Sequence, residues 1–378
     1  MQVPEADPRS TASDVAEGPN CRIDALTGDA DAYRVLGEIS VGLDPEGVDI
    51  DKELERAYIA CSRSNAVSVV DLDEMAVVAN VAVGGEPIDI SSDPVTRRLF
   101  TADARADRVS VIDPDKLEVV HKIPVGAYPA GLGLDEQGRR LFCGDTMAST
   151  VSVIDLDRLE LIGTVEAELG AGAVAVDAPR RRVYCVNFVA GSVTVIDADS
   201  LETIRRVKVG EAPCAVAVNP VVGEVYIINS LASTVARIDA ESGEHLGEIP
   251  VSAAPVGIAS GAHHDRLYIG NRGDGTVSVL GLDGVEWSRI PVGTAPGGVT
   301  VHPRDPRRLF VANAGSGSLT VFDDLLDGPP ASRVADATHP LVGQGLPRFA
   351  LPELDSGRVR NIDEWTGKKY ILNFFASW

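Results

Sequence analysis

Residues 123–164 read IPVGAYPAGLGLDEQGRRLFCGDTMASTVSVIDLDRLELIGT. Four short apolar segments begin in this stretch: GLGL (131–134), LFC (141–143), VSVI (151–154) and LIGTV (161–165), the last running one residue beyond it. Gly, Pro and Asp separate them. Alternating or β-branched runs of this length, bounded by turn residues, predict short strands joined as an antiparallel meander. None of the four leaves room for an amphipathic helix of about ten residues.

The third segment and the Asp after it recur. VSVID at 151–155 is preceded by VSVVD at 67–71 and VSVID at 109–113. It is followed by VTVID at 193–197, VARID at 235–239, and weaker copies VSVLG at 277–281 and LTVFD at 319–323. Each copy ends 42 residues after the last. A fixed period in the range of about 20–50 residues marks a repeat architecture. Four-stranded units repeated around an axis make a β-propeller, so the expected fold is all-β with seven blades. The first strand of each unit fits the crowded axis, because it alternates small residues: GLGL (131–134), AVAV (173–176 and 215–218) and GVTV (298–301). An open solenoid of hairpins is the rival; a closed ring protects its sheet edges better.

The seventh copy offers segments near 298–301, 309–312 and 318–322, then dissolves into DGPP (327–330). No fourth strand is evident there. YRVLGEI (33–39) has the character of one, so it is expected to complete the last blade and lock the ring.

Segments LFVAN (309–313), VYIIN (225–229) and VSV (277–279), with Val-Gly-x-x-Pro turns at 125–129, 209–213 and 292–296, resemble the YVTN-type propeller repeat. The resemblance spans roughly residues 39–323 and implies the propeller fold. It implies no single function, since such propellers serve many tasks.

The net charge is −22. The tail from His339 is nearly neutral, so the propeller is the acidic body. That disfavours nucleic acid and anionic membranes as partners. The sequence has no apolar run long enough to span a membrane. Residues 1–20 lack a charged-then-apolar leader pattern and are expected to form a disordered lead-in. Two readings of location stand: cytoplasmic, or exported with a leader outside this sequence.

Cysteines stand at 21, 61, 143, 185 and 214, with no Cys-x-x-Cys pair. Cys143 and Cys185 are one period apart and so occupy equivalent strand positions, which argues against a disulfide between them. Buried cysteines acting as small apolar residues are the simpler expectation. Cys61 is the better candidate for a reactive thiol. It stands where the other copies place Asp103, Asp145, Asn187, Asn229, Asn271 and Asn313. These seven end the second strand of their blades and cluster on one face. They either cap turns or form a polar rim where a protein partner or small ligand binds over the axis. The Asp residues ending the third strands (71, 113, 155, 197, 239, 323) are expected to cap turns. The six histidines share no repeat position, so a multi-histidine metal site is not expected. No phosphate loop or nucleophile–base arrangement can be read, and no cofactor is implied. Arginines recur in the turn between first and second strands, at 97–98, 139–140, 180–182 and 307–308. They form either a solvated turn face or a positive rim for an acidic partner.

After residue 330 the rhythm stops. Residues 331–339 read as a linker and 340–378 as a different domain. Val-Gly-x-x-x-Pro-x-Phe (342–349), Leu-Pro-x-Leu (351–354), Gly-Lys (367–368) and LNFFASW (372–378) resemble the opening of a redoxin of the TlpA-like branch of the thioredoxin superfamily. The resemblance implies a thiol–disulfide oxidoreductase domain, an extracytoplasmic location, and a Cys-x-x-Cys directly after Trp378. This chain carries no such pair, so as it stands it is expected to be inactive in that chemistry. A non-enzymatic binding propeller is the alternative.

Overall fold

A computed structural model describes residues 32–261 and 265–328 in full, and the backbone of two further strands, Ala350–Pro352 and Val359–Asn361. The 42-residue period builds seven four-stranded antiparallel sheets. The third blade shows the pattern. From the axis outward its strands are Pro129–Asp135, Arg140–Asp145, Thr150–Asp155 and Glu160–Glu166.

Position in the blade explains the composition of each strand. Second and third strands are paired on both edges and covered on both faces, so Leu141, Phe142, Cys143, Val151, Val153 and Ile154 are all fully buried. The outer strand keeps one residue inside, Val165, and leaves Leu161 and Ile162 exposed. The inner strand is confined by the next blade. A Cβ on Gly131 would lie 2.5 Å from the Cα of Ala173, too close for any side chain there.

The core is divided into seven apolar clusters, each shared by two neighbouring blades. One joins Tyr58, Val67 and Val69 of the first blade to Leu99 and Ile112 of the second. Another joins Phe310 and Leu319 of the seventh to Ile50 and Ile59 of the first, so the ring is closed. Fully burying one such side chain contributes about 1.5–3 kcal/mol, which makes blade-to-blade burial the main cohesive force.

Closure follows the sequence reading. Tyr33–Ser40 pairs antiparallel with Ser318–Asp324, from Tyr33 opposite Asp324 to Ser40 opposite Ser318. Arg34 Nη2 meets Asp323 Oδ2 at 2.9 Å, and Ser318 Oγ donates to Glu38 at 2.6 Å. Five of the six Asp residues ending the third strands cap turns as expected, while Asp323 instead takes ion pairs from Arg34 and Arg308. Asp155 Oδ1 accepts from the N–H groups of Asp157 (2.9 Å) and Arg158 (2.8 Å), and Asp71, Asp113, Asp197 and Asp239 repeat this.

Beyond the propeller, Ala350–Pro352 pairs antiparallel with Val359–Asn361, with Leu351 opposite Arg360. The lead-in (1–20), the linker (331–339) and the LNFFASW segment (372–378) lie outside the described residues.

Candidate functional site

The seven residues singled out at the ends of the second strands do share one face. Cys61, Asp103, Asp145, Asn187, Asn229, Asn271 and Asn313 are, however, all 0% exposed. Each turns inward to its own third strand, where its partners stand five or seven residues later and are mostly hydroxyls. Asp145 accepts from Thr150 (2.9 Å) and Ser152 (2.8 Å). Asp103 accepts from Ser110 (2.5 Å) and also from Thr101 and Arg108. The Nδ2 groups of Asn187, Asn271 and Asn313 donate to Thr194, Ser278 and Thr320 at 2.8–2.9 Å. In the fifth blade the second hydroxyl position is Ala236, and Asn229 donates to the Val209 carbonyl instead. So these side chains tie strand to strand inside a blade, and some also hold the turn that enters it: Asn187 Oδ1 accepts from the Glu168 N–H at 3.1 Å.

This arrangement also explains the Val-Gly-x-x-Pro turn. A Cβ on Gly126 would sit 2.5 Å from Asp145 Oδ2. Burial pushes the carboxyls of Asp103 and Asp145 up, against the pull of their hydroxyl donors. Cys61 lies against Ser68 (3.5 Å), and burial pushes its thiol up. That corrects the expectation of a reactive thiol at Cys61, because nucleophilic attack needs an accessible thiolate.

The same face carries a cavity of about 450 Å³ on the axis, lined by inner-strand residues of all seven blades. Thr146, Phe188 and Arg272, which follow Asp145, Asn187 and Asn271 in sequence, line it. Four lining residues break the repeat. Glu46 stands where other blades have Ile88, Ala130, Gly172, Cys214, Val256 and Gly297. Asp89 replaces what is otherwise only Gly or Ala (47, 131, 173, 215, 257, 298). Phe188 and Arg272 occupy a position otherwise filled by Ser62, Ala104, Thr146, Ser230 and Ala314.

Arg272 Nη2 reaches Glu46 Oε1 at 3.4 Å and Asp44 at 4.0 Å. Asp89 accepts from the Ile90 and Leu132 N–H groups, both at 2.9 Å, which ties the second blade to the third. Walled in by protein beside the axis, and with Asp49 near, its carboxyl is pushed up to about 6, burial being the main cause. Burial raises Glu46 and Asp49 as well. Cys214 also lines the mouth; burial holds its thiol at about 12, so it stays protonated.

Beside the cavity, Met147, Leu169, Val189 and Leu231, exposed by 73, 64, 68 and 76%, extend from the cavity-lining Phe188 as an apolar arc on blades three to five. The corresponding loops of blades six and seven carry Gly, Ala, Ser and Thr beside Arg272 and Asp274.

The opposite face holds the repeated arginines. Arg181 forks onto Asp135 of the preceding blade (both contacts 2.7 Å) and also meets Asp199 at 2.7 Å. Arg139 does the same with Asp93 and Asp157. Burial works to raise the Asp93 carboxyl, but Arg139, Thr96 and the Val95 N–H bring it down to about 2. Arg140 and Arg182 reach forward to the carbonyls of Ala198 and Ala240. Arg266 pairs with buried Asp324 at 2.7 Å and lies over Trp287 at 4.6 Å. Arg139, Arg140, Arg181, Arg182 and Arg266 are staples between blades, whereas Arg97, Arg307 and Arg308 pair with Asp115, Asp327 and Asp323 of their own blades.

Among the described residues no group of three or more His, Cys, Asp or Glu is placed to hold a metal ion. His302 is buried and meets Glu55 at 3.2 Å. Cys143 and Cys185 are free and buried. No described helix is long and apolar enough to cross a membrane.

No protein-family model matches the chain, and no curated protein sequence does. Solved structures do match. One is hydrazine synthase of Kuenenia stuttgartiensis, with a TM-score of 0.70 and 20% identity over 75% of this chain and 96% of that one. At this identity the likeness is one of fold: the chain carries a seven-bladed β-propeller.

Proposed function

We propose that the propeller is a binding scaffold whose axial mouth takes a ligand or a side chain of a partner protein. The observation that supports this is the convergence of Glu46, Asp89, Phe188 and Arg272 on one cavity. Repeat packing prefers small residues at the inner-strand positions, and a buried carboxylate there works against stability. Departures of that kind, gathered in one concave site, are the mark of binding. The seven buried residues beneath the mouth support its loops without meeting the ligand.

The chain's methionines provide the test. Met147 stands exposed at the mouth, and Met75 lies in a third-to-fourth-strand turn, at the opposite end of its blade. With [13C]methyl-methionine protein, and Met147→Leu to assign the signal, a panel of capped dipeptides, aromatic amines and carboxylic acids is titrated. A mouth ligand shifts Met147, leaves Met75 in place, and loses its effect in Asp89→Asn or Arg272→Gln. A panel that moves neither signal, or both alike, counts against the reading.

A second reading concerns the tail. On the pattern of residues 342–378 we propose that the propeller serves a redoxin-type domain as its docking module, the propeller repeats being of the YVTN type. The paired short strands at Ala350–Pro352 and Val359–Asn361 are compatible with the β-hairpin opening of such a domain. Reading the coding DNA after codon 378 tests this. A Cys-x-x-Cys followed by about 90–100 residues supports it, and any other continuation removes it.

A further inference from the structure

The mouth and the arc beside it share one face, and their chemistries differ. Charges lining the cavity are Glu46 and Asp89 against Arg272. Arg272 is already engaged by Glu46 at 3.4 Å and lies 4.0 Å from Asp44. On the same face Arg105 is tied to Glu86 at 2.6 Å. The mouth therefore presents net negative charge within low-dielectric walls, which attracts a cation and repels an anion. The apolar arc lies beside the cavity: a small molecule seated on the axis comes next to Thr146, and so near Met147, but does not cover Leu169, Val189 and Leu231. Met147, Leu169, Val189 and Leu231 are each more than half exposed and sit on consecutive loops, as at a protein-binding surface.

We propose that this face docks an apolar segment of a partner protein that carries a lysine or arginine, the cationic head entering the mouth toward Glu46 and Asp89 while the flanking apolar side chains rest on the arc. The inference rests on the reading of the mouth as a binding site. It adds the partner's class and its orientation: charge on the axis, apolar residues over blades three to five. The acidic body steers a basic segment toward the disc, and the arc supplies the water-excluding contact that charge alone lacks.

The experiment compares four probes on the intact chain by Met147 methyl shifts and calorimetry. They are an acetylated, amidated pentapeptide leucine–leucine–lysine–leucine–leucine, its norleucine and glutamate counterparts at the centre, and n-butylamine. The lysine peptide is expected to bind at least tenfold more tightly than the other three. Glu46→Gln with Asp89→Asn should weaken it at least tenfold. Leu231→Ser, a change at an exposed side chain, should weaken the peptide several-fold and leave butylamine unchanged. Equal binding of the norleucine peptide overturns the cation, and equal binding of butylamine overturns the arc. A Met147 shift with the glutamate peptide alone overturns the inference but leaves the mouth as a site. No Met147 shift with any probe overturns both.

Discussion

On one face of the disc the arginines recur with the fold; on the other, the single arginine lining the mouth departs from it. Arg139 and Arg181 do the same work one period apart, each forked onto a buried carboxylate of the preceding blade. The same fork stands at two successive blade boundaries, second to third and third to fourth. Arg272 has no such counterpart, and it faces Glu46 across the mouth. Charge that follows the repeat is structural here; of the charges that break it, Glu46, Asp89 and Arg272 line the mouth, while Arg237 and Glu224 pair with each other inside the fifth blade. Variants can break or sharpen that division.

The largest effect is expected where the ring closes. Removing residues 1–40 takes away Tyr33–Ser40, leaves the last blade with three strands, and bares the edge of Ser318–Asp324. The apolar cluster linking blades seven and one loses Ile39 and Leu36. A propeller without its closing strand has an open seam, so the whole ring should lose stability, not the last blade alone. Thermal unfolding followed by circular dichroism should show a much lower midpoint. An unchanged midpoint would mean that closure carries no weight.

Next comes a staple. Arg181→Ala leaves Asp135 buried without its fork. Breaking such a pair on one side costs about 3–5 kcal/mol. Urea unfolding should show that loss, while Arg272→Ala, on the half-exposed mouth pair, should change stability by less than about 1 kcal/mol. Similar losses at both sites would erase the contrast between the faces.

Asp89 should behave in the opposite sense to Arg181. Its carboxyl is raised from 3.8 to about 6. Between those values the folded protein holds a proton that the unfolded chain has released. Stability therefore falls as pH rises through that window, and above it the ionised group costs about 3 kcal/mol. Asp89→Asn should flatten the fall between pH 4 and 6 and raise stability at pH 7.5 by less than that amount, because Asn can accept from only one of the Ile90 and Leu132 N–H groups. Asp49, Asp103 and Asp145 are also raised, so part of the slope remains. Greater stability with weaker binding of the lysine peptide is the signature of a residue kept for function.

The period, the strand order and the closing strand could all be read from spacing, because the 42-residue repeat places equivalent residues in equivalent surroundings. The buried state of the second-strand Asp and Asn residues was harder to see, since polar residues at strand ends ordinarily face water. Yet their partners were in the sequence. Ser or Thr stands seven residues on at 68, 110, 152, 194, 278 and 320, and Ala236 marks the exception. The mouth leaves no trace in what recurs. Its signal was the opposite one: Glu46, Asp89, Phe188 and Arg272 each depart from an aligned column of small or apolar residues. The blade staples were legible as arginine pairs but not as pairings, because Asp135 and Arg181 belong to different blades and only the ring brings them together.

The smallest effect is the most discriminating. Asp145→Ala strands the hydroxyls of Thr150 and Ser152 and should cost about 1–3 kcal/mol. Asp145→Asn should cost less than about 1 kcal/mol, because Asn187, Asn271 and Asn313 already serve that position with the same hydroxyl partners. A neutral amide also avoids ionising a group that burial resists. If Asn is tolerated and the Met147 methyl signal keeps its response to the lysine peptide, the ring beneath the mouth is support for the loops. If folding is intact but the response is lost, Asp145 acts on the ligand through Thr146, and the division between repeating structure and non-repeating site fails at that blade.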